Sequence, residues 1–304
     1  MKHRLTTLLL AAILLLPACG RAQTPALRHE ADVSYGEADH QPLRLDLWRP
    51  ADDRRLPAVV FIHGGGWSAG DKNDFAGLAQ GLAAHGYVCF SINYRLVKAP
   101  ANPWPACYDD CQRAVRWVRA HAADYNLDPD KLGVLGASAG GHLVAMLGAT
   151  DTRDNSDADL AKFSSRPTCV VDLFGPVDFT ADLTVVGQAG PWVVALVKGL
   201  LQGKTKDEAP DLYKAASPIF HIDAATVPFL IFQGGKDPLV SPTQSRSLDA
   251  ALRAAGRPST LIEFPEEGHG FVQKANLETF VKQTLAFFDH WLKGQPLPTP
   301  EAPK

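Results

Sequence analysis

At 304 residues, 46% hydrophobic and 21% charged, the chain has ordinary globular composition, with ample apolar side chain for a sizeable core. A formal net charge of −3, with Lys and Arg scattered rather than clustered, leaves no electrostatic footprint for nucleic acid. Five cysteines and ten histidines form no cluster with metal-ligand spacing, so no metal is expected.

The first 22 residues read as an export leader: Lys2 and Arg4 give a basic start, and Leu8 to Leu16 an apolar run too short to span a bilayer with margin. Two processing routes fit. Leu16-Pro17-Ala18-Cys19 resembles a lipobox, which would put a lipid anchor on Cys19, and Gly20 and Ala22 are the small residues needed for cleavage after Ala22. Either route places the product outside a bacterial cytoplasm: periplasmic, secreted or lipid-anchored. Residues 23–30 read as a linker.

Strand-like segments follow at Asp32–Tyr35, Leu43–Trp48, Ala58–His63, Val88–Asn93, Leu132–Gly136, Cys169–Phe174, Phe229–Gln233 and Thr260–Phe264. Runs such as Val59-Val60-Phe61-Ile62 suit strands buried on both faces of a parallel sheet. Helical segments alternate with them at Phe75–His85, Tyr108–Ala123, Gly141–Ala149, Thr243–Ala255 and Leu277–Leu292. In the second of these, Ala114, Val115, Trp117 and Val118 fall on one side, and Arg113, Arg116 and Arg119 on the other. Export makes a Cys107–Cys111 disulfide conceivable, but a helical turn makes its geometry demanding, and two free thiols are the reading preferred over it. The alternation predicts one doubly wound α/β domain over 23–294, its first strands an antiparallel edge. Residues 295–304 are Pro-rich and read as a disordered tail. A polar stretch, Thr150 to Pro167, reads as a loop. Asp178–Ser217, with its apolar run Pro191 to Val197, is longer than an ordinary connection and reads as a small helical cap; a plain crossover helix is the alternative.

Chemistry concentrates at two Gly-rich turns. Gly136-Ala137-Ser138-Ala139-Gly140 is a G-x-S-x-G nucleophile elbow between an apolar strand and a helix. That turn holds the Ser138 hydroxyl at a helix N-terminus, where backbone N–H groups favour developing negative charge. His63-Gly64-Gly65-Gly66-Trp67 ends an earlier strand and has the HGGG pattern of an oxyanion hole, with donors from Gly65, Gly66 and Ala139. His63 itself reads as a prop for the loop. The general base must follow Ser138 with room for an acid between them, which leaves His221, His269 and His290; the loop histidine His269 fits best, and His221 could line the pocket. Asp237, leaving the strand Phe229–Phe232, is the acid, with Asp172, Asp178, Glu266 and Glu267 as rivals. Trp67, Phe179 and Trp192 are the expected walls of an apolar substrate pocket.

Taken with Gly70-Asp71-Lys72, Ser91–Leu96, Trp104-Pro105-Ala106 followed by Asp110, Phe174-Gly175-Pro176-Val177-Asp178, Ser217-Pro218 and Gly234–Val240, these motifs resemble the alpha/beta-hydrolase esterases of the hormone-sensitive-lipase and feruloyl/acetyl-xylan-esterase-like type. The resemblance implies a Ser138–Asp237–His269 triad, an oxyanion hole at Gly65, Gly66 and Ala139, and no cofactor or metal. It also implies a substrate that is a short-chain acyl or aromatic ester, small or linked to a plant polysaccharide. An arylformamidase-like amide hydrolase and a non-catalytic binding protein on the same fold are the alternatives.

Overall fold

A computed structural model describes residues 26–181 and 190–297. The expected leader, with Cys19 and Ala22, and the end of the Pro-rich tail lie outside the described residues.

One sheet contains all eight expected strands: β1 (Leu27–Ala38), β2 (Gln41–Pro50), β3 (Leu56–Ile62), β4 (Val88–Ile92), β5 (Leu127–Ala137), β6 (Cys169–Leu173), β7 (Phe229–Gly234) and β8 (Ser259–Phe264). Their order is β1-β2-β4-β3-β5-β6-β7-β8; β1 and β2 pair antiparallel at one edge, and the strands from β4 to β8 run parallel. Alternation along β3 explains why its run is apolar throughout. Ala58, Val60 and Ile62 enter one core with α2 (Ala106–Ala120), α3 (Ala139–Ala149) and α6 (Pro242–Ala254). Val59 and Phe61 enter the other, with α1 (Ala76–Ala84) and α7 (Lys274–Lys293). Burying a side chain such as Phe61 or Phe288 stabilises the fold by about 1.5–3 kcal/mol. Between β6 and β7 the chain inserts α4 (Gly190–Leu200) and α5 (Pro210–Ala215). No helix among the described residues is long and apolar enough to cross a membrane.

Two expectations change, and the state of one cysteine pair is settled. The linker stops short of residue 30, because β1 already begins at Leu27: Leu27 to Glu30 pair with Leu47 to Pro50. Its side chains are mostly exposed and polar, so hydropathy does not mark it. The arginines of α2 do not form a solvent face. Arg116 is buried, and its guanidinium donates to the carbonyls of Asp154 (2.6 Å), Leu160 (3.1 Å) and Phe163 (3.0 Å). Arg113 pairs with Asp157, and Arg119 donates to the carbonyls of Pro129, Ser164 and Arg166. The polar 150–167 segment is thus bound onto α2 by its own carbonyls, which Arg116 and Arg119 satisfy, and by the Asp157 carboxylate on Arg113. Cys107 and Cys111 are buried free thiols, with no bridge between them.

Candidate active site

The C-terminal ends of β3, β5, β7 and β8 converge on a cavity of about 630 Å³, a volume suited to a small ligand. At its base, Ser138 has φ 56° and ψ −118°, a backbone conformation that costs a non-glycine residue roughly 1–3 kcal/mol. The surroundings over-determine it. The Ser138 amide donates to the Leu173 carbonyl at 2.8 Å, and the Ser138 carbonyl accepts from the His142 amide at 2.9 Å. A Cβ on Gly136 would run into the Gly140 carbonyl, and one on Gly140 into the Ile62 carbonyl, so the turn is possible only with hydrogen at both positions.

His269 stands in the loop after β8. Its Nε2 lies 2.9 Å from Ser138 Oγ and its Nδ1 2.8 Å from Asp237 Oδ2. Because a carboxylate only accepts, Nδ1 carries the proton and Nε2 is free to take one from the hydroxyl. Asp237 is buried and fully engaged. Oδ1 accepts from the amides of Leu239 (2.8 Å) and Val240 (2.9 Å), and Oδ2 accepts from Gln233 Nε2 (3.2 Å) as well as from His269. These bonds fix the direction in which the carboxylate faces the imidazole. Ser245 Oγ donates to Gln233 Oε1 at 2.8 Å and holds that amide in turn.

The glycine loop after β3 faces Ser138. Gly65 and Gly66 have φ of +103° and +57°, and among the described residues their amides donate no hydrogen bond. Both line the cavity with Ala139, the first residue of α3, whose amide has no partner in its own helix. His63 is buried behind the loop, and burial pushes its imidazole pKa down. Its Nδ1 donates to the Gly64 carbonyl at 2.8 Å, and its ring stacks on Tyr94, whose hydroxyl donates to the His63 carbonyl at 3.1 Å. Loop and elbow are also joined from behind. Trp67 Nε1 donates to His142 Nδ1 at 3.1 Å, and His142 Nε2 donates to the Ala216 carbonyl at 2.7 Å. Burial pushes His142 down to about 4, so it sits here as a neutral spacer.

Of the three expected walls, Trp192 and Trp67 line the cavity, the first half exposed on α4 and the second almost wholly buried. Phe179 does not line it. The ring is 1% exposed and packs edge-on to Trp67 (5.7 Å) and against His142 (4.9 Å), so it belongs to the core behind the site. His221 also lies off the cavity; its Nε2 donates to the Ala215 carbonyl at 3.0 Å. The rival acids have other partners. Glu267 receives the amides of Val272 and Gln273, and Asp178 those of Thr180 and Ala181. Glu266 pairs with Lys236, and Asp172 is buried beneath the elbow. Three contributors carry no clear signal in the sequence. Gln233 was visible only as a polar residue ending an apolar strand. Gln244 accepts the Val177 and Asp178 amides at 2.8 Å each, and Leu196 of α4 touches Gly66 closely enough that a Cβ there would lie 2.6 Å from its Cδ1. Nothing in the spacing marked these last two. Among the described residues, no group of three or more His, Cys, Asp or Glu could hold a metal ion.

The BD-FAE family model matches residues 45–252. Esterase LipQ of Mycobacterium tuberculosis is 35% identical over 246 residues, covering 79% of this chain and 57% of its own length. With two further curated mycobacterial relatives the covered share is 61% and 63%, so the chain spans about three fifths of the length of the curated relatives it matches. Among solved structures, a truncated carbohydrate esterase from gut microbiota superposes with TM-score 0.77 at 29% identity, covering 90% of this chain and 98% of that one. A butyrate-bound esterase from Thermogutta terrifontis gives 0.71 at 28% identity, covering 92% and 98%.

Proposed function

The chain belongs to the BD-FAE family, and we propose that it is a serine carboxylesterase working through an acyl-enzyme. The observation that carries the reading is the hydrogen-bonded series Asp237–His269–Ser138 opening into an apolar cavity beside two unpartnered amides. In the first half-reaction His269 Nε2 takes the proton of Ser138 Oγ as the oxygen attacks the ester carbonyl. The carbonyl oxygen, now an anion, is met by the amides of Gly65, Gly66 and Ala139, each worth about 3 kcal/mol of barrier. Asp237 stabilises the imidazolium. His269 then returns the proton to the departing alcohol, and water repeats the sequence on the acyl-enzyme to release the acid.

We infer a short-chain acyl or aromatic acid as the ester's acid part, of the acetyl or feruloyl type, including esters on plant polysaccharide side chains. The wall formed by Trp192, Val193, Leu196 and Val197 of α4 supports an apolar acyl partner, and α4 acts as a cap on the site. A carbohydrate esterase and a butyrate-bound esterase among the structural relatives are in keeping with this. Hydrolysis of a p-nitrophenyl ester series and of acetylated xylan tests the reading. Acetyl to butyryl esters should be preferred, with Ser138→Ala inactive; a preference for long chains rejects the substrate class, and an active Ser138→Ala rejects the mechanism. Export, with either a lipid on Cys19 or cleavage after Ala22, completes the proposal. Mass spectrometry of the N-terminus of protein made in a bacterial host should find one of those two products; an intact Met1 start rejects it.

A further inference from the structure

The turn that closes β6, Asp172–Gly175, touches both halves of the site, and the steps above leave it without a role. The Leu173 carbonyl holds the amide of Ser138 at 2.8 Å. The ring of Phe174 lies against the imidazole of His269, centroids 4.6 Å apart and planes inclined at 58°. Phe174 adopts φ +44°, which a bulky residue takes only when its surroundings force it. Two contacts do so. The Phe174 amide donates to the Phe232 carbonyl at 2.8 Å, and the Gly175 amide donates to Asp172 Oδ1 at 3.0 Å. Beyond it, Gly175 lies backbone to backbone against Gly141 in the first turn of α3; a Cβ on Gly141 would lie 2.8 Å from Gly175 Cα. Behind Phe174 stands Phe271, itself packed on Phe264 and Phe280.

We propose that the Asp172–Gly175 turn is a positioning device that keeps nucleophile and base in register, with Phe174 as the seat of the His269 ring. The inference rests on the esterase reading and deepens it. Asp237 and Ser138 fix the imidazole only within its plane, through Nδ1 and Nε2. Rotation out of that plane is opposed by a side chain packed against the ring, and Phe174, inclined at 58° to it, supplies that contact. Strain at this one residue places an aromatic ring under the imidazole and a carbonyl under the serine amide in the same turn.

The test compares Phe174→Ala, Phe174→Tyr and Asp172→Ala with the unaltered protein on acetyl, butyryl and hexanoyl esters. Loss of the seat should lower kcat tenfold or more in Phe174→Ala by the same factor for every acyl length. Phe174→Tyr should come within threefold of the parent, and Asp172→Ala should show a smaller loss of the same length-independent kind. Phe174 also lines the cavity, so a change in acyl-length preference would make it a specificity wall and not a seat, and an unchanged kcat in Phe174→Ala would make it inert; either overturns the proposal. Should Phe174→Ala not fold, Phe174→Leu, which keeps bulk but not the aromatic ring, must still lose kcat uniformly while Phe174→Tyr does not. Failure of the esterase reading is recognised separately, as absence of hydrolysis by the unaltered protein.

Discussion

Ser138 Oγ and His269 Nε2 lie 2.9 Å apart across 131 residues of chain. The first is held by a strained turn between β5 and α3, the second by a loop after β8 and a buried carboxylate. Rigid elements fix both partners, so single substitutions around them have distinct expected effects.

Replacing Ser138 by Gly separates stability from chemistry. Glycine accepts φ 56° without cost, so the variant should be more stable than the parent by about 1 kcal/mol while losing hydrolysis. Urea denaturation with an ester assay reads both. A less stable variant would mean that the strain relieved is smaller than the entropy glycine adds to the unfolded chain.

Asp237→Asn leaves an acceptor for the Leu239 and Val240 amides, so the fold should persist. An amide facing Nδ1 favours the wrong imidazole tautomer, and kcat should fall by about 10³–10⁴. Steady-state kinetics at pH 7–8 decides; a loss under tenfold would remove Asp237 from the mechanism.

Gly65→Ala puts a methyl group into the Ala69 carbonyl at φ +103°, so the loop must move. Displacing one amide donor should cost about 10²–10³ in kcat, with KM little changed. Equal loss in KM would indicate damage to substrate binding instead.

Two buried groups give opposing pH dependence of stability. His142, pushed down to about 4, stays neutral in the fold while the unfolded chain binds its proton below about 6.5, so stability falls as pH drops from 6.5 towards 4. Burial pushes Asp172 up to about 7, and one of its oxygens has no hydrogen-bond partner. The fold keeps that proton while the unfolded chain releases it above 3.8, so its contribution falls as pH rises from 3.8 to 7. Asp172→Asn removes only the second effect. Its stability relative to the parent should therefore grow between pH 4.5 and 7.5, by at most about 4 kcal/mol. Denaturant titrations at those two values test this; an equal difference at both would place the Asp172 titration elsewhere.

How much of this was legible in the sequence follows from what each residue needs. Ser138, His269 and the glycines of both turns stand in contiguous motifs whose residue types the local backbone demands, and the strands of a parallel sheet announce themselves by unbroken apolar runs. Phe179 and Arg116 misled for one reason. Hydropathy reports that a side chain is apolar or charged, but not which layer covers it. Phe179 is covered by Trp67 and His142, and Arg116 by carbonyls of a polar loop that carries no apolar signal. Gln233, Gln244 and Leu196 act through partners between 4 and 130 residues away, and no local pattern encodes such pairs.

Intact-protein mass spectrometry after treatment with a fluorophosphonate tests the central claim most directly. The account predicts one adduct, mapped to Ser138, formed in step with the loss of ester hydrolysis and absent from Ser138→Ala and from His269→Ala. Ester hydrolysis that persists in fully labelled protein, or labelling of Ser138→Ala at the parent's rate, would contradict it.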